Sequence, residues 1–247
     1  MPLSVITKAD FRPKTAAAAA KAFAKKAALS SEAFDKLSNE AKRHAFRIAG
    51  VHKAGLIQRA RDVVHGAIRD GTGYDRVQRE LLKLFDTEGV PPPALHRLRL
   101  VFQQNSLQAY HDARREALDE PEMAAMFPYR QYLTVGNGTP GVRGVRPTHA
   151  ALHNLVFKWD DPFWDNHTPP WEYGCRCFFR GLTVRQVQRM RVRITGGDYV
   201  RKRIKVPGQK KRGIKPDPRF QRGKEDEFDL SKIDAELRKA VESMIGD

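Results

Sequence analysis

The stretch RPTHAALHNLVFKWDDPFWDNHTPPWEYGCRCFF, Arg146 to Phe179, decides how the rest of this 247-residue chain is read. It holds both cysteines and all three tryptophans of the protein, together with His149, His153 and His167. Neither a helical nor a strand period runs through it. Ala150–Val156 reads as a short helix. The aromatic, proline-rich run from Trp159 to Pro170 reads as an irregular loop, which becomes ordered only by burying its own side chains. Cys177, Phe178 and Phe179 suggest a strand, and upstream the alternation of Tyr129 to Val135 suggests another, followed by a Gly-rich turn.

Thiolates and imidazoles are the usual ligands of zinc, so this stretch raises metal binding. The best quartet is His149, Cys175 and Cys177, with His167 or His153 as the fourth. Cys-x-Cys is tighter than the Cys-x2-Cys of a standard finger. Alternate positions on extended chain share a face, which leaves two thiols on one side and Arg176 on the other. That arrangement permits two ligands without demanding a metal, and two small buried apolar residues are the plainer reading. A nucleophile and base from Cys175 and His149, or a proton-transfer pair of His149 with Asp160, Asp161 or Asp165, needs side chains that sequence cannot bring together. The expectation is that the chain is not an enzyme. Arg146, three residues before His149, suits a fork onto Asp160, Asp161 or a backbone carbonyl, fixing the loop. Trp159, Phe163, Trp164, Trp171 and Tyr173 fit core packing better than a base-stacking platform.

N-terminal to this stretch the chain reads as helical. Ser30 and Ser31 are N-cap candidates before an amphipathic run through Phe34, Leu37, Ala41, Ala45, Phe46 and Ala49. The pattern continues through Leu56, Ile57, Val64 and Ile68 to Gly71 and Gly73. Tyr74–Phe85 and Leu95–Leu118 follow as further helices, separated by Pro91, Pro92 and Pro93. C-terminal to it, charge takes over. Of the formal net charge of +16, +12 falls between Thr183 and Gly223, with 14 basic residues against two acidic ones. Density of this kind marks a surface for a polyanion or an acidic protein. Arg191, Arg193, Arg201, Lys202, Arg203, Lys205, Lys210, Lys211, Arg212, Lys215, Arg219 and Arg222 are the residues expected to carry it. A short basic helix over Val184–Arg193 opens the segment, and Ser231 caps a last amphipathic helix.

The expected class is therefore α+β. It comprises a helical subdomain over 1–127, a small mixed domain with irregular aromatic and proline-rich loops over 128–182, a basic extended arm over 183–230 and a C-terminal helix over 231–247. No run of about 18 apolar residues exists to cross a membrane, and no secretory leader or disulfide framework is visible. Walker and dinucleotide fingerprints are also absent.

Taken in order, Arg146-Pro147-Thr148-His149, Leu152-His153, Asp161-Pro162-Phe163-Trp164, His167-Thr168-Pro169-Pro170 and Gly174-Cys175-Arg176-Cys177 resemble the head-morphogenesis domain of the Mu gpF-like minor head proteins of tailed phages. RHAFRIAG from Arg43 and NSLQAYHDAR from Asn105 resemble the helices that precede that domain, so the likeness covers roughly residues 30 to 185. The resemblance marks Arg146, His149, Trp164, Pro169, Pro170, Cys175 and Cys177 as structural motif positions. It implies a minor capsid protein in a virion, acting in head assembly near the portal vertex or the capsid interior after synthesis in host cytoplasm. The partners it implies are the portal protein, the major capsid protein or the scaffold. Packaged double-stranded DNA is a natural ligand for the basic arm, held without base reading because no recognition helix is visible. A sequence-independent DNA-binding virion protein, with zinc as its cofactor, is the alternative.

Overall fold

The computed structural model describes residues 8–37, 41–140 and 144–217. The described residues divide into two compact units, one up to Ala113 and the other from Arg114. Helices and two small sheets together make the class α+β.

The first unit is helical. Helix α1 (Lys8–Ala24) packs on α3 (Ala54–Asp70), and α3 packs on α4 (Tyr74–Thr87). In α3, Leu56, Ile57, Ala60, Val64, Ala67 and Ile68 recur three and four residues apart and are all buried, which is the condition for one apolar stripe. Gly71, at φ +66°, ends the helix in the left-handed conformation that glycine adopts without a Cβ penalty. Helix α5 (Leu95–Asp119) starts in this unit and runs past its boundary, and α6 (Pro121–Met126) follows it.

The amphipathic run expected over residues 34–49 is not one helix. Ser30 does cap a helix, its Oγ accepting from the Ala33 N–H at 3.2 Å, but that helix, α2, covers only Ser31–Asp35. A parallel two-residue pair flanks that helix in the chain, β1 (Ala27–Ala28) before it and β2 (Ala45–Phe46) after it. Phe34, Leu37 and Ala45 are buried there with Ala27 and Leu29, so the apolar spacing was real while the helical inference from it was not.

The second unit is built on a three-stranded antiparallel sheet in the order β4-β3-β5, with β3 at Tyr129–Leu133, β4 at Val156–Lys158 and β5 at Phe178–Leu182. Tyr132 lies opposite Phe179, and Arg130 opposite Phe157. Tyr132, Phe157 and Phe179 belong to one core with Phe163, Trp164, Trp171, Cys175 and Cys177. Val156 and Leu182, out of phase with these, bury a smaller cluster with Val187.

Three local expectations change here. Ala150–Val156 is not a helix: α7 covers Pro147–Ala150, and the chain then turns into β4. The run from Trp159 to Pro170 is not wholly irregular. Asp161 Oδ1 accepts from the Phe163 N–H at 2.8 Å, an Asx-type start for α8 (Phe163–His167), after which Pro169–Pro170 is a cis peptide. Most of all, the described part of the basic segment is not an extended arm. It carries α9 (Val184–Met190) and α10 (Gly197–Lys202), and it buries Val200, Ile204, Val206 and Ile214 in the same core as Tyr132 and Trp171. The charges masked an apolar residue every few positions, and those residues fold the segment back. Arg219, Arg222 and the helix expected over 231–247 lie outside the described residues.

Candidate metal centre

Pro147 stands in the first turn of α7 with its φ already suited to a helix, and the single turn it starts delivers His149 into the core at 2% exposure. From the other side come residues 175–182, where burial alternates: Cys175, Cys177 and Phe179 are inward, while Arg176, Phe178 and Arg180 are exposed. The two sulfurs converge on one ring nitrogen. Nδ1 of His149 lies 3.2 Å from Cys177 Sγ and 3.7 Å from Cys175 Sγ, and the three donor atoms all lie within 4.8 Å of one another. Among the described residues this is the one group of three or more such side chains positioned to hold a metal ion.

The surroundings fix the imidazole. Its Nε2 faces Glu172 Oε2 at 3.3 Å, and the same carboxylate oxygen is ion-paired to Arg146 Nη1 at 3.1 Å. Arg146 also donates through Nη2 to the Tyr173 carbonyl at 2.6 Å. The expected fork of Arg146 thus closes on Glu172 and a carbonyl, not on Asp160 or Asp161. Asp161 is occupied by the N–H groups of Phe163 and Gly197. The ring of Trp171 stacks on that of His149 at 3.9 Å and 10°, while its Nε1 donates to the Tyr132 hydroxyl at 2.7 Å.

Electrostatics follow from this packing. Burial opposes ionisation of Cys175, yet hydrogen bonds from Cys177 and His149 bring its thiol well below the ordinary range. The hydrogen bond with Cys175 and burial push Cys177 up. Burial works against an imidazolium at His149, and its bonds to Cys175 and Glu172 outweigh that.

The other candidate ligands sit elsewhere. His167 stacks on Phe163 at 4.6 Å and meets Trp171 edge-on at 5.4 Å, outside the trio. Burial lowers its pKa to about 4, which keeps it neutral. His153 presents Nδ1 to the Thr134 N–H at 3.0 Å, so it orders the turn after β3. Glu172 and Tyr132 are the site residues that sequence reasoning missed. Nothing separates Glu172 from any other loop carboxylate until the fold places it against His149.

The model of the family described as Phage Mu protein F like protein matches residues 58–180, about half of the chain, and ends just past the Cys-Arg-Cys element. The chain belongs to the Mu protein F-like family. It is 28% identical to capsid assembly protein F of Escherichia phage Mu over 64% of its own length, and 31% identical to the Mu-like prophage FluMu F protein of Haemophilus influenzae over 62%. In each case the alignment spans 38% of the relative. No solved structure shows significant similarity.

In this Mu F-like chain the motif positions His149, Trp164, Pro169, Pro170, Cys175 and Cys177 are buried, while Arg146 is exposed. Trp164 is 1% exposed, donates from Nε1 to the Lys158 carbonyl at 3.0 Å, and accepts at its own carbonyl from Arg115 Nη1 at 2.8 Å and from the Thr168 hydroxyl. The basic residues of 191–215 stay at the surface. Arg191, Arg193, Arg201, Lys202, Arg203, Lys205, Lys210, Lys211, Arg212 and Lys215 are all exposed. No helix among the described residues is long and apolar enough to cross a membrane.

Proposed function

We propose that the chain is a non-enzymatic head-morphogenesis protein of a Mu-like phage or prophage, acting in capsid assembly near the portal vertex or the capsid interior. The observation that carries this is the family match, because it joins residues 58–180 to a relative named for capsid assembly. Burial of His149, Cys175 and Cys177 to 4% exposure or less supports a role without catalysis, since no substrate reaches a nucleophile in that position. The portal protein, major capsid protein or scaffold are the proposed partners, and the virion or its assembly intermediate the proposed location. Inactivating the gene in its phage should abolish normal heads. Infectious particles that form in normal yield without the polypeptide overturn the reading.

One observation favours a second reading, a sequence-independent DNA-binding virion protein with zinc as its cofactor. The exposed cations of residues 191–215 stand on a folded base anchored by Val200, Ile204, Val206 and Ile214. Such a surface would release counterions from duplex DNA, with a log–log salt slope of about −0.9 per phosphate neutralised. Deleting the segment would strip the core, so the test is charge removal: Lys202, Lys205, Lys210 and Lys211 to Gln together. A variant that loses duplex binding but still enters heads favours the DNA reading. A variant excluded from heads favours the assembly reading.

A further inference from the structure

We propose that His149 Nδ1, Cys175 Sγ and Cys177 Sγ together bind one zinc ion, with water in the fourth position and with Glu172 and Arg146 setting the imidazole from behind. The first support is distance. Zinc with Zn–S near 2.3 Å and Zn–N near 2.0–2.1 Å in a tetrahedron separates nitrogen from sulfur by about 3.6 Å. The two separations here, 3.2 and 3.7 Å, bracket that figure.

The second support is direction. Two thiols serving only as small apolar residues would turn toward carbon. Here both turn toward the same nitrogen of one ring, although Trp171, Phe179 and Leu152 are available in the same core. The third is the back of the ring. Metal-bound histidines almost always give their other N–H to a carboxylate or carbonyl, which fixes tautomer and orientation. Nε2 of His149 faces Glu172, and Arg146 holds Glu172 in turn. Arg146, His149, Glu172, Cys175 and Cys177 are then one device, and the spacing Arg-x-x-His followed by Cys-x-Cys has a single physical reason. The ion would tie α7 to the approach to β5, residues 26 and 28 apart in the chain, where no disulfide or sheet pairing joins them. On binding, the thiol protons leave to solvent and both sulfurs coordinate as thiolates.

The test uses the full chain purified without added metal. Elemental analysis should find about one zinc per chain. Cobalt(II) exchanged into the site should show thiolate-to-cobalt charge transfer in the near ultraviolet and the visible bands of a tetrahedral ion. C175S and C177S should each lose most of the charge-transfer intensity, and E172Q should keep the bands while loosening the metal by about 10–100-fold. Should the serine variants not fold, the unaltered chain still decides: its cysteines should resist alkylation until a chelator is added, then react. Overturning results are no zinc with no thiolate band from cobalt, alkylation equally fast with and without chelator, or metal content that follows His167 instead of His149. The site stands apart from the head-assembly reading: a zinc-free chain that still builds heads sinks the site alone, and a zinc-bound chain dispensable for heads sinks the role alone.

Discussion

The two units bury different chemistry and reach order by different routes. In the helical unit the core is almost entirely aliphatic with a few phenyl rings, delivered by residues three and four apart on α3 and α4. Its buried polar side chains include Gln104, Asn105, Gln108 and His111 of α5 and Lys26, whose ammonium donates to the side-chain carbonyls of Asn105 and Gln108 at 2.9 and 2.8 Å. In the sheet unit the core is a stack of aromatic rings around thiols and two buried imidazoles, supplied by short helices, turns and strand ends. Helices carry their own backbone hydrogen bonds and need only a greasy stripe. Loops do not, so they become ordered only where large rings and specific polar contacts replace what water offered.

That difference predicts where substitutions hurt most. Trp164→Ala should cost roughly 3–5 kcal/mol in chemical denaturation, because the indole is packed against Phe157, Phe163 and Phe179 and its N–H is bonded. Leu56→Ala, also fully buried, should cost roughly 2–5 kcal/mol, toward the lower end if helices close in on the gap. The contrast breaks if the aliphatic change proves the more damaging.

Acid should separate the units next. His167 has a folded pKa of about 4 against an unfolded value near 6.5, so its neutral form supports the fold fully above pH 6.5. As pH falls from 6.5 toward 4 the unfolded chain takes up a proton that the folded chain refuses, and roughly 3 kcal/mol drains away. Replacing His167 with Phe should flatten this part of the pH–stability curve. An unchanged slope in that variant assigns the acid sensitivity elsewhere.

Two smaller effects probe the fold-back of the basic segment. Gly213 sits at φ +90°, and a Cβ there would lie 2.1 Å from the Arg201 carbonyl oxygen. Gly213→Ala should therefore cost about 1–3 kcal/mol and raise proteolytic cleavage near residues 205–215. An unaffected variant would mean that Ile214 is not docked. Thr183 and Gln186 form a capping box at the start of α9, the Thr183 hydroxyl accepting from the Gln186 backbone N–H at 3.2 Å and the Gln186 side-chain Oε1 accepting from the Thr183 backbone N–H at 2.8 Å. Thr183→Ala should cost about 1 kcal/mol, measured by thermal unfolding, with Thr183→Ser restoring most of it.

Periodicity alone located α3, α4 and α5 and the buried stripe of α3, because a helical stripe is written in residues only three or four apart; on α5 it did not show that Gln104, Asn105, Gln108 and His111 are buried. Alternation located β3, the run Cys177–Phe179 marked the start of β5, and extended chain placed Cys175 and Cys177 on one side. The ordered motifs between Arg146 and Cys177 carried the family. Tertiary structure alone decided that the helix after Ser30 ends at Asp35 and that Ala45–Phe46 is a strand, that His149 and neither His167 nor His153 meets the thiols, and that Glu172 stands behind it. It also turned the supposed arm into a folded base, by giving Val200, Ile204, Val206 and Ile214 a core to enter. The reason is one of range. Local spacing fixes which side of its own element a residue occupies, whereas a ligand trio or a docked tail depends on which elements meet. That is settled by what each buries against the others across dozens of residues of chain.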